Sequence, residues 1–134
     1  MTSLGLVHWQ QGRAQQAAEH HQQALAICHE IGDRANEAQI LNGHAEAHHA
    51  GGQLDQARAQ HTAALILATE TGDRYEQARA HHGLARTHHT TGDLDQARHH
   101  WQQALTCYAD LDVPDADDVR TDLMRATGSI TAAE

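Results

Sequence analysis

Shifted against itself by 40 residues, this sequence falls into columns. Gly12, Gly52 and Gly92 align, as do Ala17, Ala57 and Ala97, then Ala24, Ala64 and Ala104, then Leu25, Leu65 and Leu105, with His21, His61 and Trp101 as an imperfect set. Gly32-Asp33-Arg34 recurs as Gly72-Asp73-Arg74, and Ala38 recurs as Ala78. A fixed period of this length is the mark of a repeat architecture, in which one unit cannot bury its apolar face alone and each stacks on its neighbours. The chain is therefore expected to be copies of one small motif, stacked along a line.

Within a unit, the small and apolar columns lie three, four or seven apart, as in Ala17, His21, Ala24, Leu25 and Cys28, which is the spacing of one helix face. Each unit holds two such stretches, separated by glycines. Gly12, Gly52 and Gly92 punctuate the turn inside a pair, and Gly32 and Gly72 stand where a helix C-cap belongs. Asp33 and Asp73 then supply N-caps, with Asp73/Glu76 and Asp93/Gln96 spaced as capping boxes. The spacing predicts helices at about 2–11, 14–31, 34–50, 54–71, 74–91 and 94–111. Pro114 restarts the chain and suits the first turn of a seventh helix at about 114–126, with Val119, Leu123 and Met124 on its packed side. That helix would cover the open face of the last repeat, leaving 128–134 as a loose tail.

Laid on each unit, the pattern W-x2-L-G-x2-Y followed by A-x3-F finds partial matches. They are Met1, Leu4, Gly5 and His8 with Ala17 and His21, then Leu41, His44, Ala45 and His48 with Ala57 and His61, then His81, Leu84, Ala85 and His88 with Ala97 and Trp101. On these residues the chain resembles the tetratricopeptide repeat (TPR) family. The resemblance implies an all-α, right-handed superhelix of three helix pairs, about 1–31, 34–71 and 74–111, plus a C-terminal capping helix, forming one domain over 1–127. Two departures qualify the match. The closing Pro of the family is replaced by His29, Thr69 and Ala109, and the unit is longer than the family's usual one. The length and the Gly-Asp-Arg junction resemble the 40-residue TPR subclass. The segment from Trp101 to Arg120 is similar to the C-terminal TPR ends of actinobacterial signalling and transcriptional regulators. Met1 already stands at the first signature position, so the first helix lacks a preceding neighbour and is an expected place for homo-oligomer contacts.

In this family the first helix of each pair lines a concave, peptide-binding groove. Carried onto this sequence, those places are Leu6, Trp9 and Gln10 in the first repeat, Gln39, Asn42, Glu46 and His49 in the second, and Arg79, His82, Arg86 and His89 in the third. The rows across the groove place Trp9, His49 and His89 in line, Asn42 beside His82, and Glu46 beside Arg86. The third repeat's share is all basic or basic-capable, and arginine's planar fork suits carboxylates, so a protein or peptide partner with acidic groups is expected.

Composition narrows the function further. The formal charge of −9, with no Lys, argues against a phosphate-backbone ligand, so no nucleic-acid partner is expected. No apolar run reaches the roughly 18 residues of a membrane span. Cys28 and Cys107 form no CxxC pair and no secretory signal is present, which fits a reducing cytoplasm. The 14 histidines invite a metal reading, and His44 and His48 have the four-residue helical spacing of paired ligands. However, His21, His44, His48, His61 and His88 occupy places the family fills with core leucines and aromatics, so packing accounts for them and neither metal nor cofactor is expected. Histidines buried there would be neutral, and acid should cost stability. No GxSxG, HExxH or P-loop pattern occurs, and no enzyme activity is expected. The sequence thus points to a protein-binding module, with the partner-sensing part of a bacterial regulator as its setting. Structural self-assembly and metal binding are the alternatives.

Overall fold

The computed structural model describes Gln16 and residues 19–132, with side chains through Ala126. The expected helix at 2–11, with Leu6, Trp9 and Gln10, lies outside the described residues. Six helices and no strand occur among the described residues. They are α1 (residues 19–31), α2 (Arg34–Ala50), α3 (Leu54–Thr71), α4 (Arg74–Thr90), α5 (Leu94–Leu111) and α6 (Asp115–Ala132). Each of α2 to α5 packs on the next, α5 packs on α6, and α2 also touches α4, as the first helices of successive pairs do in a solenoid.

The caps follow the sequence. Asp33, Asp73 and Asp93 each accept a hydrogen bond at Oδ1 from the backbone N–H three residues on, at 3.2, 3.1 and 3.2 Å, satisfying one orphan donor of α2, α4 and α5. The return half of the capping box does not form. The Asp73 N–H is already taken by the Ala68 carbonyl at 2.9 Å, and that of Asp93 by the His88 carbonyl at 2.9 Å, so Glu76 is released to turn elsewhere. Gly72 makes the first of these closures with φ +71°, and nothing lies within 4 Å of where a Cβ would stand. Its requirement is backbone conformation alone, so Gly72→Ala should lower stability by about 1 kcal/mol in urea unfolding. An unchanged midpoint would show that the left-handed cap is not held.

The core is built on alanine. Ala38, Ala45, Ala57, Ala64, Ala68, Ala78, Ala85, Ala97 and Ala104 are all fully buried, which lets the helices approach closely. Among the described residues, the larger buried apolar groups gather towards the C-terminal end, where Trp101, Tyr108 and Val119 join the alanines in the main cluster. Further towards the N-terminus, the large buried side chains of α2 and α3 are polar: Asn42, His44 and His61. Cys28 and Cys107 are buried and free, as their helical columns predict. Successive pairs are also tied at the surface by an ion pair that recurs with the period: Arg34 to Glu70 and Arg74 to Asp110. Both pairs are exposed and each is worth about 1 kcal/mol or less.

The capping helix differs from its expected form in two ways. Val119 is buried and Leu123 partly so, but Met124 is 72% exposed, and Ala116 and Ala126 complete the packed side. Spacing explains this, since 116, 119, 123 and 126 lie three or four apart and 124 turns off that stripe. The helix also continues to Ala132, where a loose tail from 128 was expected. Residues 127–132 hold no proline, and the one glycine costs about 1 kcal/mol without stopping a helix.

Candidate functional site

The first helices of the pairs, α2 and α4, and the cap α6 together line one cavity, and five of the side chains expected in the groove lie on it. Glu46, His49, Arg79, His82 and Arg86 all line a single open cavity of about 250 Å³. Tyr75, Tyr108, Asp115 and Asp118 close its far side. His89 is exposed at the end of α4 and lines an adjoining cavity, while Gln39 is exposed on α2.

Asn42 is not a groove contact. It is fully buried and holds helices together, its Nδ2 donating to the carbonyl and to Oε1 of Glu76, both at 3.1 Å, while its Oδ1 accepts from Nδ1 of His61 at 2.8 Å. Glu76 in turn accepts from Nη1 of Arg79 at 3.2 Å, and Arg79 reaches across to both carboxylate oxygens of Glu46. This chain of polar groups runs from α3 through α2 to α4 with every member paired, the condition under which buried polar groups are tolerated. The Glu46 contacts hold the Arg79 guanidinium even more firmly protonated than usual.

The expected Glu46–Arg86 pair is therefore replaced by two others. Glu46 pairs with Arg79, two turns earlier on α4, and Arg86 pairs with Asp122 on α6, its Nε donating at 3.3 Å. Asp122 also binds His82 Nε2 at 2.8 Å. Burial works to raise the Asp122 pKa, but the His82 hydrogen bond and the Arg86 charge outweigh it and hold the carboxyl below its ordinary range. The basic third-repeat row thus meets an acidic partner from within the chain.

Two features of the site escaped the sequence reading. Asp115 and Asp122 continue the repeat onto α6: Tyr75 donates its hydroxyl to Asp115 at 2.9 Å and His82 binds Asp122, each pair 40 residues apart. Extending the columns past Pro114 would have found them. Gly83 is the second. An added Cβ there would lie 2.0 Å from Nε2 of His61, so the ring sits directly against the α4 backbone. Gly83 stands mid-helix, where a glycine costs about 1 kcal/mol relative to Ala, and that is the signal of a close approach; Gly43, in the same column, meets only the tip of Arg79 at 3.6 Å.

The remaining histidines pack with one another. His44 stacks on His48 at 4.4 Å between ring centroids and meets His21 edge-on at 5.0 Å. His81 and His100 bring their Nδ1 atoms to 3.0 Å, with His88 stacked on His100. Burial depresses His44, His61, His81 and His100, His61 and His100 to about 4, and neighbouring histidines add to the effect. No group of three His, Cys, Asp or Glu side chains among the described residues is disposed to hold a metal, and no described helix is long and apolar enough to cross a membrane.

A helix-pair solenoid defines the class, and the comparisons with known proteins agree. The tetratricopeptide repeat family matches over residues 1–65 and 36–110, and the chain belongs to that family. Its structure is similar to that of BtubC (BKLC) from P. vanneervenii, with a TM-score of 0.74 over 87% of this chain at 22% identity. This chain spans about half of that protein, 51% of its length. No curated protein matches the sequence.

Proposed function

We propose that the chain is a non-catalytic protein-binding module whose concave face, formed by α2, α4 and α6, receives an extended or helical segment of a partner protein. The observation that supports it is the convergence of Glu46, His49, Arg79, His82 and Arg86 in one open cavity, while the buried sides of α2 and α4 are made largely of alanine and polar groups such as Asn42, Glu76 and His44. Polar side chains arranged along an open cavity are what a solenoid offers a ligand. The setting we propose is the partner-sensing part of a bacterial cytoplasmic regulator, on the resemblance of the segment from Trp101 to Arg120.

The internal pairing changes which groups do the binding. Arg79, only 23% exposed, is engaged with Glu46 and Glu76 and acts as a strut, so the contacts fall to His49, to Arg86, which stays 52% exposed beside Asp122, and to the rim of α6. Affinity capture with wild type and with His49→Ala/Arg86→Ala tests the reading. Partners retained on wild type should be lost from the double variant. Equal retention, with both proteins equally folded by circular dichroism, would contradict it.

A further inference from the structure

We infer that the adjoining cavity, between the end of α4 and α6, is a carboxylate pocket that takes an Asp or Glu side chain of the bound segment; the inference rests on the groove being the docking face. The cavity, about 290 Å³, is lined by His49, Arg86, His89, Trp101, Asp122 and Arg125. Two buried polar atoms of its lining residues have no hydrogen-bond partner among the described residues: Nε1 of Trp101, a residue only 2% exposed, and Nε2 of His49. An indole N–H can only donate, so it demands an acceptor, and leaving it without one costs free energy that a ligand oxygen would recover.

The repeat shows how the indole comes to be unmatched. Trp101 occupies the column of His61, and His82 the column of Asn42. In the second repeat those two positions bond each other, His61 to Asn42. In the third, His82 turns away to Asp122 and the indole is left unmatched. Charge points to the same ligand. Asp122 is present in the cavity but already serves His82 and Arg86, and Arg125 has no ion-pair partner among the described residues. The lining holds two guanidinium groups against one carboxylate, in a protein of net charge −9. A carboxylate can accept from the indole and from Arg125 together.

The source of the carboxylate follows from the layout. This cavity and the main one share His49 and Arg86, so a segment lying along the groove crosses the pocket mid-chain and presents a side chain there, not its terminus.

The test uses a short Gly/Ser peptide, blocked at both ends, with a central run of Glu. The Gln version and a Gly/Ser peptide whose only acid is a free C-terminus serve as the other arms. In 15N-labelled protein the Trp101 indole resonance, assigned by its loss in Trp101→Phe, should move downfield with the Glu peptide alone. Arg125→Gln, a surface change, and Trp101→Phe should each weaken Glu-peptide binding about tenfold, the scale of one hydrogen bond to a charged group, without affecting the Gln peptide. Equal binding of Glu and Gln peptides would overturn the pocket while leaving the groove in place. So would an unmoved indole, no binding of either peptide, or binding of the free-terminus peptide alone. A Glu-peptide response at Trp101 with partners captured equally by the groove variant would instead leave the pocket and remove the groove as the docking face.

Discussion

Between pH 7.5 and pH 4.5 the protein should lose several kcal/mol of folding stability. His61 is fully buried, its Nδ1 donates to Asn42, and burial lowers its pKa to about 4 in the folded state. In the unfolded chain the same ring titrates near 6.5. The unfolded state therefore binds the proton more readily, so the stabilisation is complete above about pH 6.5 and is lost as the pH falls from there towards 4. For His61 alone that amounts to about 3 kcal/mol. His100, also lowered to about 4, faces His81, His88 and His99 across α4 and α5, and His44 faces His48 and His21, so each site adds a loss in the same direction. Urea unfolding at a series of pH values reads this directly. A midpoint that stays constant down to pH 4.5 would mean that the rings are hydrated and the buried polar core is not as described.

Gly83→Ala should destabilise the protein by about 2 to 3 kcal/mol, the range for overpacking a close contact. On an open helix face the same change would stabilise by close to 1 kcal/mol, because Ala is the better helix former, so the sign alone is informative. The contact decides it. The new methyl would stand 2.0 Å from His61 Nε2, and the ring cannot swing away without breaking its 2.8 Å bond to Asn42. Gly43→Ala is the internal control, since there the nearest atom is the tip of Arg79 at 3.6 Å. Thermal or urea unfolding should therefore show opposite signs for the two glycines. Two stabilising substitutions would contradict the close packing of α3 on α4.

The repeat made most of the fold legible, because every column carries its information in more than one copy. Glycines and aspartates at the junctions placed the ends of α2, α3, α4 and α5 within a residue. The direction of individual polar side chains was harder to read. Asn42 stands in a groove-facing register, yet the neighbouring His61 and Glu76 offer it three hydrogen bonds inside, and a buried amide takes them. Similarly, the sequence spacing of Glu46 and Arg86 places them in adjacent rows, but Arg79, two turns earlier on α4, is long enough to reach Glu46 first. The acids of α6 were missed for a different reason. Proline at 114 breaks the Arg column, and the helix reads as a cap although it keeps the 40-residue register through Asp115 and Asp122. Which face is concave is a property of the stack, and no single helix encodes it.

The claim that binding belongs to the concave face can be tested most directly by position-specific crosslinking. A photoreactive residue placed at His89, exposed on the groove side of α4, is compared with one at Thr62, exposed on α3, under identical illumination with the natural partner pool. A discrete crosslinked product at position 89 that is absent at position 62 is the predicted result. The same product from both positions, or from position 62 alone, would place the partner on another face and contradict the account.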